Sequence, residues 1–457
     1  TTPWLTERHG YDPTSDNMRG LVWRLAFPSM LAQFVSVFYS IVDRMYIGNI
    51  EGIGELALAG VGVCGPIVTL LTAFAFLVGI GGAPLMSIKM GQKHMKGAER
   101  ILSNCFFMLL TISTVVMIIS LLLKNHLLMW FGASEKTFAY ANEYITIYLL
   151  GTVFALMTTG MNQFIICQGF AKTGMMSVIL GAVSNIVLDP VFIFALDMGV
   201  KGAALATVLS QLASFLFVMC FLFSSRPPVR IRLMGIQWKI IRKVALLGFS
   251  YGLIIAFDNV MIISLNAVIQ RYGGPERGDM LLTCMTIVQS FMLMVTMPLG
   301  GITTGTQTIL GYNLGAKRPE RIVKAEKNIL FLALAFTGIM FIIAQLIPHL
   351  FVCIFTRDEE YVRLTVQAIR IYTLGLIPLG VQYTIVDGFT GLSAAGTAIS
   401  LSAFRKMIFF GGVFLIPAVF GVENIFFTEP VSDIIPAAVS SAVFLMVFRK
   451  KIGLQKG

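Results

Sequence analysis

Long unbroken apolar runs separated by short polar connections fill this chain from end to end. About 20 apolar residues suffice for a helix to cross the hydrocarbon layer of a bilayer, and most runs reach that length. Strands of a membrane barrel would instead alternate apolar and polar residues over about ten positions. The runs are continuous, so the pattern predicts helices, whose backbone polar groups are satisfied within each segment. Twelve spans follow: 21–48, 56–88, 101–123, 142–166, 175–196, 202–223, 244–268, 281–311, 328–352, 366–390, 394–420 and 430–448.

The pattern also repeats. FGASEKTFAYANEYITIYLLG begins at Phe131 and FTRDEEYVRLTVQAIRIYTLG at Phe355, an offset of 224. The same offset pairs Gly91 with Gly315, Lys93 with Lys317, Tyr148 with Tyr372, Gly151 with Gly375 and Thr173 with Thr397. So long a near-gapless register means two copies of one six-helix unit. Each copy starts and ends on the same side of the membrane, which makes them parallel repeats about an axis near the membrane normal. The expected fold is all-α: an N-lobe over residues 1–225, a basic linker over 226–243 and a C-lobe over 244–457, with a central cleft between the lobes. Rocking of one repeat against another is a general way to carry a solute across a bilayer, so the repeat points to transport.

Composition agrees. The 457 residues are 56% hydrophobic and 12% charged, against roughly 25% charged in soluble domains. The net charge of +11 could suggest nucleic acid, but its distribution gives a better account. One side collects Arg8, Arg19 and Arg24, the even-numbered connections (Lys89, Lys93, Lys96, Arg100; Lys172; Arg226, Arg230, Arg232, Lys239, Arg242, Lys243; Lys317, Arg318, Arg321, Lys324, Lys327; Arg405, Lys406) and the tail (Arg449, Lys450, Lys451, Lys456). That is 25 Lys/Arg against eight on the other side. The bias places both termini in the cytoplasm, and no nucleic-acid partner is expected. The polar N-terminus reads as free of a removable signal peptide. Within the linker, Ile236–Lys243 could form a basic amphipathic helix on the membrane surface. Six scattered cysteines lack ligand spacing, and no HExxH, GxSxG or P-loop is present, so the chain does not read as an enzyme.

Ionisable residues inside spans are costly and mark candidate sites. Asp43 and Arg44 lie in span 1, Asp189 in span 5, Asp258 in span 7, Asp387 in span 10 and Asp433 near the start of span 12. With Arg44 the one cation among them, the interior reads as acidic. By depth, Asp43, Asp189, Thr207 and Tyr144 sit at similar height, roughly 7–10 Å below the outer helix ends at 1.5 Å per residue. Asn185 shares a helix face with Asp189. Pro190 removes one donor and can free a carbonyl beside them. A carboxylate, an amide, a hydroxyl and a freed carbonyl suit H+ or Na+, with Asp43, Asn185, Asp189 and Thr207 as candidate Na+ ligands. Asp189 maps to Val413 and Asp43 to about Leu265, so this chemistry is expected in the N-lobe alone. Flexible apolar side chains such as Met161, Phe291 and Met292, with Asp258 to attract cations, are candidates for the lining of a cleft that accepts varied ligands. Asp387, close to a cytoplasmic end, reads as solvated.

These residues carry a resemblance over essentially the whole chain. FPSMLAQFVSVFYSIVDRMYIG (27–48), SNIVLDPVFIF (184–194), GVKGAALATVLSQ (199–211) and the paired MGQK (90–93) and LGAK (314–317) resemble the multidrug and toxic compound extrusion (MATE) family, most of all its DinF-like branch. The resemblance implies two six-helix bundles forming a V-shaped cleft, and export of organic cations driven by H+ or Na+ entry, with no cofactor beyond the coupling ion. By motif position, Asp43, Asn185, Asp189 and Thr207 match that branch's ion-coupling residues, and Tyr144 joins them. Arg44, directly after the span-1 acid, departs from the expected pattern and could pair with Asp43. The expected assembly is a monomer in a lipid bilayer. A rival within the superfamily is a lipid-linked precursor flippase, which would line its cleft with Arg or Lys; a rival from another class is a non-transporting sensor or channel.

Overall fold

The computed structural model describes residues 17–131, 133, 135–355 and 357–453. All regular structure among them is helical. The first half holds α1 (Met18–Gly48), α2 (Gly54–Gly91), α3 (Met95–Trp130), α4 (Phe138–Leu150), α5 (Thr152–Cys167), α6 (Ala171–Pro190) and α7 (Val200–Phe223). The second half holds α8 (Trp238–Gly274), α9 (Met280–Gly315), α10 (Pro319–Leu346), α11 (Pro348–Phe355), α12 (Glu359–Tyr372), α13 (Leu376–Gly391), α14 (Ala395–Phe420) and α15 (Thr428–Lys451). Among the described residues ten helices are long and apolar enough to span alone, and α4 with α5 and α12 with α13 pass the same test as bent pairs; counted as one span each, they give the twelve expected.

The repeat is visible in the backbone. The two bent spans break at Gly151 (58°) and Gly375 (47°), an offset of 224. At both breaks the glycine faces a neighbour that leaves no room for a side chain: a Cβ on Gly151 would lie 2.8 Å from Val208 and one on Gly375 2.7 Å from Asp433. Left-handed backbone recurs in the same register. Lys93 (φ 59°) matches Lys317 (56°), Gly169 (90°) matches Ser393 (57°), and Asp197 (53°) matches Gly421 (92°). Four of these close a helix C-terminus by the same bond from the next amide to the carbonyl five residues back: His94 to Lys89, Arg318 to Asn313, Phe170 to Ile165 and Ala394 to Phe389. That is the Schellman arrangement, which needs a left-handed residue at its turn.

The chain divides into two compact units, Phe27–Ile255 and a second that begins at Ala256 and includes α1 up to Ala26. In the second unit, Leu265, Phe291, Val295, Leu299, Ala333 and Val413 belong to one buried apolar cluster. Within the first unit the opening turns of α8 lie on α2. A Cβ on Gly248 would fall 1.7 Å from the Leu77 carbonyl oxygen and one on Gly81 2.3 Å from that of Val244, so the two backbones meet where neither has a side chain.

The linker is held rather than loose. Val229 N–H donates to Gln168 Oε1 (2.9 Å), Arg232 N–H to Ser103 Oγ (3.0 Å) and Gln237 N–H to Asn104 Oδ1 (2.8 Å). Val229 and Ile231 are buried. Side chains of α3 and the C-terminal end of α5 thus satisfy a strand-like segment that has no sheet partner. The expected surface helix at Ile236–Lys243 is corrected: from Trp238 onward the residues are the first turns of α8.

Candidate functional site

In the first unit, α6 and α7 bring three predicted residues together. Asn185 and Asp189 stand one turn apart on α6, and Asn185 Nδ2 donates to Asp189 Oδ2 at 3.3 Å. The Thr207 hydroxyl on α7 lies 3.0 Å from the Ala203 carbonyl and 3.4 Å from Asn185 Oδ1. Asp43 on α1 stands within hydrogen-bonding reach of both Asp189 and Asn185. Tyr144 on α4 reaches Thr207 and stacks on Tyr148, ring centroids 6.1 Å apart. All five residues predicted from depth and motif therefore meet. Asn185 and Asp189 are fully buried. Asp43 Oδ1 and Asp189 Oδ1 are each buried without a partner. Past Pro190 the helix widens into a π turn over Val191–Ala195, the local loosening that a proline without an N–H permits.

Three neighbours were not anticipated. Tyr39 lies one turn before Asp43 on α1 and faces both acids. Tyr148 accepts from Gln211 Nε2 at 3.4 Å. Their signal in the sequence was helical spacing, each four residues from a predicted member: Tyr39 from Asp43, Tyr148 from Tyr144 and Gln211 from Thr207. Arg44 is exposed, and among the described residues no salt bridge joins it to Asp43.

The second unit differs. The repeat counterparts of Asp189 and Asp43, Val413 and Leu265, are buried in its apolar cluster. Phe291 and Met292 belong to the same cluster, with Phe291 edge-on to Phe351, and Met161 is fully buried in the first unit. The assignment of Arg405 and Lys406 to a cytoplasmic connection is corrected: both lie inside α14, within the predicted span 394–420 and well past the first two turns. Lys406 Nζ bonds Asp258 Oδ1, so Asp258 carries a matched charge rather than a free one. Arg405 Nη2 bonds Glu429 Oε1 (3.0 Å) and Asp433 Oδ1 (3.1 Å). Arg44 is thus not the sole cation within the spans. Removing these two from the 25 leaves the charge asymmetry intact. Asp387, expected in solvent, is bonded by the Thr303 hydroxyl of α9. Nearby Glu326 on α10 is buried with both oxygens unpartnered. The spacing missed it because span 9 was started at 328, two residues after it.

Twelve helical spans in two copies of one six-helix unit, with paired acids buried in the first copy, define the class: a multi-pass helical membrane transporter. The chain belongs to the MatE family, whose model matches residues 28–191 and 255–411. It is 21% identical over 436 residues, covering 93% of each chain, to the multidrug export protein MepA of Staphylococcus aureus (strain MSSA476). Among solved structures it is similar to one described as the outward-facing conformation of a multidrug resistance MATE family transporter of the MOP superfamily (TM-score 0.89, 22% identity, 96% of this chain and 97% of that one). It is similar also to MATE in complex with MaD3S (TM-score 0.87, 23% identity, 96% and 97%). The family is one of transporters, not enzymes.

Proposed function

We propose that this protein is a secondary active antiporter that exports amphipathic, often cationic, organic compounds in exchange for H+ or Na+ by alternating access. It works as a monomer in a bacterial inner membrane with both termini cytoplasmic. The observation that carries this reading is the facing of Asp43 and Asp189, each with an unpartnered buried Oδ1. Two carboxylates at close range in a desolvated place cannot both stay ionised without a bound cation between them. A shared proton or a Na+ held with Asn185 and Thr207 removes that charge. Its loss changes the packing that α1 and α6 prefer, which is what couples ion entry to a conformational step. Similarity to the multidrug export protein MepA supports export of drugs.

The flippase reading gained something from the placement of Arg405 and Lys406, since a lipid phosphate calls for cations. Both are nevertheless matched by acids of their own unit, Asp258, Glu429 and Asp433. They leave no unmatched positive charge for a phosphate.

The test is efflux of a fluorescent lipophilic cation from proteoliposomes under an imposed pH or Na+ gradient, comparing wild type with Asp189→Asn. Gradient-driven efflux that the variant loses by at least tenfold supports the reading, and the gradient that works names the ion. No movement under either gradient would sink the substrate class; normal efflux by the variant would sink the ion site.

A further inference from the structure

The second unit holds a buried group of charges that no step above uses. Its centre is Arg405 on α14, whose Nη2 touches two carboxylates of α15, Glu429 and Asp433, four residues apart and so on one helix face. Asp433 is fully buried, and side-chain exposure is 7% for Glu429 and 14% for Arg405. One guanidinium against two carboxylates leaves one negative charge in excess in a largely buried place. The surroundings do not supply the missing positive charge. Lys406, the next cation, is spent on Asp258. From the bent span, the phenols of Tyr372 and Tyr383 face the group. Asp387 also faces Tyr383 and has Thr303 as its own partner.

The hydrogen bonds show where the balance is struck. Asp433 Oδ1 takes the Arg405 bond, while Asp433 Oδ2 is buried with no donor. Glu429 stands within hydrogen-bonding reach of Asp433. Two carboxylates that close, sharing one guanidinium, repel each other unless one of them carries a hydrogen. We propose that Glu429 and Asp433 form a proton-binding site in the second unit, one proton shared between two carboxyl groups on a common Arg405. A proton on Asp433 Oδ2, donated to Glu429, gives the orphaned oxygen its partner and makes the group neutral. The bond to Arg405 persists whether or not the proton is present.

The location gives the site a role. Gly375, where the span of α12 and α13 bends, packs on the Asp433 Cβ with no room for a side chain. Tyr372 closes α12 beside Glu429. Loss of the proton leaves a net charge at the joint of the bent span, so the site biases the bend. Helices α14 and α15 are the repeat counterparts of α6 and α7, which carry the acid site of the first unit. The inference rests on the geometry of the second unit and not on the antiporter reading.

The experiment is infrared spectroscopy of the lipid-reconstituted full chain, reading the carbonyl stretch of protonated carboxyl groups. Asp43→Asn with Asp189→Asn forms the background, so that the first unit contributes nothing. Glu429→Gln and Asp433→Asn each keep the shape and leave one acid to one guanidinium, a neutral pair. Each is expected to remove one protonated-carboxyl band at neutral pH. Arg405→Gln leaves two acids without a cation and is expected to add one band. Unchanged band intensity in both acid variants would overturn the proposal. Should one acid variant fail to fold, the other decides alone. The spectrum reads no transport, so it succeeds or fails separately from the efflux test.

Discussion

Asp258 and Lys406 show how unevenly two partners of one ion pair depend on each other. The Lys406 side chain is 12% exposed and that of Asp258 41%. Removing a partner strands the other charge, and the cost scales with how far that charge is from water. Asp258→Asn strands a buried ammonium and is expected to cost roughly 3 kcal/mol, while Lys406→Met strands a half-exposed carboxylate and is expected to cost about 1 kcal/mol. The double variant should recover most of the loss of Asp258→Asn, because no charge is then left behind. Thermal unfolding in detergent measures all three, and equal losses in the two single variants would show that both charges are equally solvated. The pair also marks the limit of what single residues disclose. Asp43, Asp189, Thr207 and Tyr144 were legible because each interrupts an apolar run at a common depth, and Asn185 because it shares a helix face with Asp189. Arg405 and Lys406 interrupt one too, inside the predicted span 394–420, but counting them with a connection hid them. What makes them bearable, Glu429, Asp433 and Asp258, lies 24 to 148 residues away along the chain. Only the fold brings such partners within reach. Glu326 escaped for a local reason, since the Pro319 start of α10 sits a few turns ahead of the apolar run and three lysines and arginines surround it.

Helices in this chain are placed by apolar length but joined by glycine. Length located all twelve spans, because the bilayer sets it and little else competes. The bends at Gly151 and Gly375 were not legible, since a glycine inside an apolar run looks the same whether it bends a helix or admits a neighbour. The approach of α8 to α2 belongs to the second kind. Gly248 and Gly252 stand one turn apart on α8, yet a Cβ on Gly252 would meet nothing nearer than Leu77 Cδ1 at 3.9 Å, whereas one on Gly248 would fall 1.7 Å from the Leu77 carbonyl oxygen. Gly248→Ala must therefore push the two backbones apart, at a cost of about 1–3 kcal/mol or more. Gly252→Ala should be neutral or stabilising by up to about 1 kcal/mol, from helix propensity alone. A thermal-shift comparison of the two variants checks the crossing, and matching losses would place the contact elsewhere.

The two halves preserve one backbone while dividing the chemistry between them. Carbonyl-to-amide bonds, bends and left-handed residues recur at an offset of 224, whereas the acids of the first half are replaced by apolar residues in the second and the Arg405 group has no counterpart in the first, where position 181 is glycine. Backbone geometry is what a duplicated fold must keep to pack, and buried charge is what each copy is free to acquire. The repeat can therefore serve as its own control for the backbone. Gly169 and Ser393 occupy the same left-handed turn with the same flanking bonds. A side chain in that conformation costs roughly 1 kcal/mol, which glycine avoids. Ser393 carries a further burden, because its hydroxyl is buried without a partner. Ser393→Gly is thus expected to stabilise the protein by about 0.5–1 kcal/mol, and Gly169→Ser to destabilise it by about 1 kcal/mol. The double exchange, which moves each residue to its partner's place, should fall between the two. Opposite shifts in thermal unfolding would confirm that both turns are one structure inherited twice; shifts of the same sign would mean that the two halves have diverged in backbone as well as in chemistry.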